Sequence, residues 1–196
     1  PSDLIGRRVG LPAVSGASYL GWQALLAAND IDPREIPTEV VGFEQLDAVL
    51  QGRVDAAVGY GANEPVQLRL RGRAPTVIEI ADSFNLVSNG LVVSEGLIDE
   101  SPTVVAGIVR AFLRGLADSL ADPDGAFDVA TEVVPEIAAP EVRDAQRAVL
   151  DASLAYWRSS HPGAIDPERW QASQDFLVRA GLITTPSAVG DMIDPT

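Results

Sequence analysis

Residues 7–82 repeat one pattern: a short apolar or β-branched run, a turn, then apolar residues at helical spacing. "RRVGLP" (7–12) reads as a strand and leads into the Ala/Leu-rich helix "GASYLGWQALLAAN" (16–29), which Gly21 does not stop. "PTEVVGF" (37–43) is β-branched. "EQLDAVLQG" (44–52) places Leu46, Val49 and Leu50 at helical spacing and ends on a glycine, a C-cap signal. "VDAAVGY" (54–60) is a continuous apolar run, as expected of a strand covered on both faces. A short helix over 64–72 and a further strand over 76–82 follow. Strand, helix and strand at this spacing predict βαβ units on a parallel sheet. Ligands of such sheets bind beyond the carboxyl ends of the strands. Ser15–Tyr19 and Tyr60–Glu64 are therefore expected on one rim.

The second half reads differently. Residues 86–94 are extended, broken by Ser88-Asn89-Gly90. Helices are predicted over 101–120, 122–134, 139–160 and 165–183. Ser101-Pro102, Asp122-Pro123 and Asp166-Pro167 supply cap-then-proline starts. No internal repeat or low-complexity tract is present.

Composition excludes several chemistries. There are 28 acidic residues against 14 basic ones, all arginine, giving a net charge of −14. That field repels nucleic acid and anionic headgroups. With no cysteine there is no disulfide, thiolate metal site or cysteine nucleophile, and a single histidine, His161, rules out a multi-histidine metal cluster. No apolar run approaches a membrane-spanning length of ~20 residues. The chain opens on Pro1 and enters a strand almost at once, the expected look of a segment cut from something longer.

Two turns carry candidate binding groups. In "SGASY", Ser15 and Ser18 flank Gly16 between a strand and a helix, where unsatisfied N–H groups suit an anion or a carbonyl oxygen. The same residues also fit an ordinary serine cap. In "YGANEP", Asn63 and Glu64 precede Pro65, which biases Glu64 away from helical geometry and into the turn. An amide beside a carboxylate reads a donor–acceptor edge such as that of an aminopyrimidine, with Tyr60 as a stacking face; equally, the pair can cap the next helix. No dinucleotide or P-loop fingerprint is present. A catalytic triad lacks support, because His161 sits in a loop, "SSHPG". Glu79 and Asp82, three apart on the expected strand, would face opposite sides. Tyr156, Trp157 and Trp170 fit core or rim, with Trp157 and Asn85 as candidate cleft residues.

"DLIGRRVGLPAVSGASYLGWQALL" with "GFEQLDAVLQGRVDAAVGYGANEPVQL" resembles the solute-binding proteins of ABC transporters. More narrowly, the chain resembles the family that binds thiamine pyrimidine precursors. That family is related to sulfonate, taurine and nitrate binders and to yeast hydroxymethylpyrimidine phosphate synthases. The resemblance runs from Asp3 to about Gly181, and "NEP" is its more specific element. It implies an α/β, type II periplasmic-binding-protein-like fold: a βαβ lobe over 4–88, and a mostly helical return of the other lobe over 89–196. It also implies an absent N-terminal stretch and a hinge at Ser88, Asn89 and Gly90. Ser15, Gly16, Ser18 and Tyr19 would then hold the ligand at the helix start, while Tyr60, Asn63 and Glu64 read its heterocycle.

The implied function is an extracytoplasmic component, lipid-anchored through the absent N-terminus, that hands an aminopyrimidine to an ABC transporter permease without cofactor or metal. An oxyanion binder is the alternative within the class, although Glu64 disfavours an anion. A pyrimidine synthase is the alternative outside it. Those enzymes use a lysine, its pyridoxal phosphate, a histidine and a cysteine-rich iron motif, and this sequence has neither lysine nor cysteine.

Overall fold

The computed structural model describes residues 1–87 and 89–193. The chain divides into two units, Pro1–Ser88 with Ala164–Thr196, and Asn89–Gly163.

The first unit is built on a parallel sheet of three strands in the order β2-β1-β3. The strands are β1 (Val9–Leu11), β2 (Thr38–Val40) and β3 (Ala56–Ala57), with Val9 opposite both Thr38 and Ala56. Helix α1 (Gly16–Ala28) crosses from β1 to β2 and α2 (Gln45–Leu50) returns to β3, after which α3 (Glu64–Leu70) begins. The α1 face is set by Trp22, Leu25 and Leu26, spaced three and four apart, which bury against Val9, Leu11, Ile31, Ile36 and Val58. Each such burial stabilises by ~1.5–3 kcal/mol. The opposite face holds Val41, Ala48 and Val54, with Ala57 packed against them. Neighbours in β3 thus point to opposite faces, and both faces are covered at β1 and β3, whereas the edge strand β2 is exposed at all three residues. At the centre, a Cβ on Gly10 would lie 3.2 Å from Val41 Cγ2 and 3.3 Å from Val54 Cγ2, so only glycine fits without a shift. Helix α2 ends as its sequence predicts, with Gly52 at φ +69° in the left-handed conformation that favours glycine.

The expected strand over 76–82 does not form. Residues 73–79 have no ladder partner among the described residues, and Ile80–Asp82 make a 3-10 turn with Ile80 packed on α1 over Gly21. The physical reason is the sheet edge: β3 offers two residues, too few to template a neighbour. The opposed-face expectation for Glu79 and Asp82 lapses with the strand.

The sequence pattern grouped 89–196 together, whereas residues from Ala164 onward cluster with the sheet. Asp166 caps α8 (Pro167–Arg179) by accepting from the N–H groups of Glu168 and Arg169. On this helix Phe176 meets Phe84, ring centroids 5.4 Å apart, and Ser173 Oγ accepts from the Val87 N–H at 3.0 Å. Gln174 fixes the chain beyond α8 through two bonds to the Ser187 backbone.

The second unit is helical: α4 (Glu95–Glu100), α5 (Pro102–Ala121), α6 (Pro123–Val133) and α7 (Pro140–Trp157). Helix α4 was not anticipated. Ser94 caps it by accepting from the Leu97 N–H, a signal hidden in a segment read as extended. Asp122 caps α6 through the Gly125 N–H, whereas Ser101 occupies the cap position of α5 without a side-chain bond. Of the hydrophobic side chains buried among the described residues, only Phe127 and Leu154 belong to this unit. No helix of the described residues is long and apolar enough to cross a membrane.

Candidate functional site

The three strands run parallel and in register, so the segments after their carboxyl ends emerge on one rim. Backbone bonds extend that register: the Val41 N–H donates to Leu11 O and the Val58 N–H to Gly10 O. The topology therefore brings the Ser15 turn and the Tyr60 loop to the same edge of the sheet.

At the first turn Ser15 is extended (φ −157°, ψ 171°) and Gly16 turns into the helix at φ +75°. That reversal gives glycine its place here. Neither serine hydroxyl, Ser15 or Ser18, hydrogen-bonds within the described residues, so the plain serine cap is not made. Both remain available to an external group. Tyr19 instead leans inward, half-buried against the α1 core.

The second segment is a closed relay of hydrogen bonds. Glu64 Oε2 accepts from the Tyr60 N–H at 2.7 Å, and Glu64 Oε1 accepts from Asn63 Nδ2 at 2.9 Å. Asn63 Oδ1 in turn accepts from Gln67 Nε2 at 2.7 Å. Glu64 is the first residue of α3 and Asn63 holds the cap position without a side-chain cap bond. This corrects the expectation that proline would keep Glu64 outside the helix. Pro65 falls in the first turn, where its missing N–H is no loss. The carboxylate fits because residue 59 lacks a side chain: a Cβ there would lie 2.4 Å from Glu64 Oε2. Each carboxylate oxygen has two acceptor sites, so both can take one further donor after these internal bonds. The relay holds a half-buried negative group in one orientation beside Tyr60, whose side chain is exposed.

Gln67 was missed by sequence reasoning. Its signal is the four-residue helical spacing from Asn63, which makes the two side chains neighbours. Asn85 lies in the sheet unit and Trp157 ends α7 in the helical unit, partly exposed. Asn89 and Gly90 are exposed and without regular structure, while Ser88 lies outside the described residues. His161 is exposed, with Nδ1 2.9 Å from the adjacent Ser160 Oγ and no third group orienting it among the described residues. No group of acidic and histidine side chains among those residues is arranged to hold a metal. Two hollows of the sheet unit lie away from the rim. One, of about 460 Å³, is lined by residues that include Leu50, Gly52, Leu68 and Arg73; the other, of about 220 Å³, is lined by residues that include Ala27, Phe84, Phe176 and Arg179.

Residues 1–126 match the family described as NMT1/THI5 like. Among curated relatives, the riboflavin-binding protein RibY of Chloroflexus aurantiacus is 40% identical over 190 residues, covering 94% of this chain and 54% of the relative. The formylaminopyrimidine-binding protein of Halalkalibacterium halodurans is 27% identical over 199 residues, covering 97% and 59%. A 4-amino-5-hydroxymethyl-2-methylpyrimidine phosphate synthase of Legionella pneumophila is 26% identical over 143 residues, covering 70% and 44%. The chain spans about half the length of the curated relatives it matches. It belongs to the NMT1/THI5-like family.

Proposed function

We propose that this NMT1/THI5-like chain is the ligand-binding part of an extracytoplasmic solute-binding protein. It would deliver a thiamine pyrimidine precursor to an ABC importer's permease. The carrying observation is the Tyr60–Glu64–Asn63–Gln67 relay, on the same strand-end rim as the unbonded serines of the Ser15 turn. Glu64 accepts from the exocyclic amine of an aminopyrimidine, Asn63 adjusts to the ring nitrogen, Tyr60 stacks, and the Ser15–Ser18 turn meets an oxygen of the ring's substituent. The architecture is the type II periplasmic-binding one, with residues 4–88 as a lobe that α8 rejoins, the helices between 89 and 163 returning to the other, and the segment at Asn89-Gly90 as a hinge that closes on ligand. In a protein as long as the relatives, the further residues complete the cleft.

The 40% identity to a named riboflavin binder favours a second reading, a flavin. Its pyrimidinedione ring offers a single N–H between two carbonyls, so Glu64 accepts one bond and the amides of Asn63 and Gln67 serve the carbonyls. An anionic sulfonate or nitrate is a poorer fit, because Glu64 faces it with like charge. The synthase reading is weaker still in a chain without lysine or cysteine whose two more similar relatives are named binding proteins.

Calorimetry with formylaminopyrimidine, hydroxymethylpyrimidine, riboflavin, taurine and nitrate tests the reading. A heterocycle is expected to bind and the anions are not. Glu64→Gln is expected to weaken an aminopyrimidine by ~1–3 kcal/mol while leaving anion affinity equal or better. Binding of taurine or nitrate alone overturns the proposal.

A further inference from the structure

Phe43 is 98% exposed, and the next most exposed aromatic side chains among the described residues, Tyr60 and Phe112, stand at 57% and 56%. Its exposure is not that of a loose loop. The Glu44 N–H donates to Val41 O across a tight turn, Gly42 takes φ +62°, and Phe43 stands at the tip. The turn is anchored on both sides: Val41 is buried in the core of the second sheet face, and Gln45 and Ala48 are buried just beyond. A rigid turn thus presents an aromatic ring to solvent, which water disfavours.

Position gives the ring a meaning. Phe43 follows the carboxyl end of β2 as Tyr60 follows that of β3, and β1 with its Ser15 turn runs between them. Neighbouring strands lie about 4.8 Å apart, so the two outer strands are separated by roughly 10 Å. A flat ring stacked between two aromatic side chains needs less than that between the outer ring planes, so the strand separation leaves room for one. The edge of such a ligand would then face the fixed polar relay.

We infer that Phe43 is a ligand-contacting residue, the second aromatic wall of the site, paired across the rim with Tyr60 and selective for flat heterocycles. This rests on the binding reading above and adds to it a residue that no motif marked. It also makes a flavin, with its larger ring face, more dependent on Phe43 than a single-ring pyrimidine is.

The test compares the chain with its Phe43→Ala, Phe43→Leu and Phe43→Tyr variants. Riboflavin is titrated by quenching of its fluorescence and formylaminopyrimidine by calorimetry. Alanine and leucine are expected to weaken the ligand that binds by roughly ten-fold, tyrosine by less than about two-fold. Melting temperatures should agree, since an exposed ring contributes little to folding. Leucine matching the wild type shows that no ring is required and overturns the inference, as does an unchanged alanine variant. A wild-type chain that binds neither heterocycle removes the functional reading and this inference together. Binding that is insensitive to residue 43 removes the inference alone.

Discussion

The sheet unit and the helical unit solve the same problem with different success. The sheet unit buries both faces of β1 and β3 beneath α1 and α2, and ties its last helix back with Phe176 and Ser173. The helical unit has four helices and, among the described residues, two buried hydrophobic side chains. In α5, Val104, Ile108 and Phe112 recur every four residues, a single helical face, and all three are exposed. Amphipathic helices without an apolar floor remain helices by virtue of their caps, prolines and mutual contacts. The lesson is that periodicity states a demand for a partner surface and does not itself supply one.

That contrast can be broken by experiment. The largest effect is expected from Phe127→Ala, which removes one of two buried apolar anchors together with the Arg143 guanidinium stacked 5.0 Å from its ring. A loss of ~3–5 kcal/mol should unfold 89–163 while β1 amides stay protected in hydrogen exchange. Loss of protection in both units at once would show that they fold as one. Next comes one substitution made in each unit. Gly10→Ala crowds Val41 and Val54 and should destabilise by ~1–3 kcal/mol in urea melts. Gly115→Ala in α5 meets nothing within 4 Å and should stabilise by ~0.5–1 kcal/mol. Equal signs would erase the difference in packing on which the comparison stands. Ser173→Ala deprives the Val87 N–H of its acceptor; faster exchange at that amide and a loss of ~0.5–1.5 kcal/mol are expected, and an unchanged Val87 would mean that α8 does not brace the sheet unit.

The smallest effect concerns pH. Hydrogen bonds from the Arg34 side chain and backbone hold the exposed Asp32 carboxyl down to about 2. Because the folded value lies below the unfolded one, the ionised group favours folding above the unfolded value, near 3.9, and that contribution fades as pH falls through about 2. An NMR titration should place the Asp32 midpoint near 2, and Asp32→Asn should cease to differ from wild type in still stronger acid. A midpoint near 4 would show that the Arg34 contact does not persist.

Much of the sheet unit was legible because its signals are local. Leu46, Val49 and Leu50 marked α2, Gly52 its end, and the run at 54–60 a strand between two layers. What was not legible depended on partners. The strand expected at 76–82 carried the right residue types but had no edge to pair with. Asn63 and Glu64 were visible as neighbours, yet their bonding to Gln67 and the Tyr60 N–H required α3 to start one residue earlier than proline statistics suggest. Phe43 gave no motif at all, only a large apolar residue after a glycine. The return of α8 to Phe84 and Val87 could not be read from helical periodicity, which is blind to the destination of the buried face.

That return has a temporal consequence. Ser173 and Val87 are 86 residues apart, so the bond joining them cannot form until Ser173 has left the ribosome. At ~5–20 residues per second the interval is roughly 4–17 s. During it the nascent sheet carries Phe84 unshielded while the weaker helical insert emerges. This is the window in which a chaperone would find this polypeptide most sticky, and a truncation before Pro167 would prolong it indefinitely.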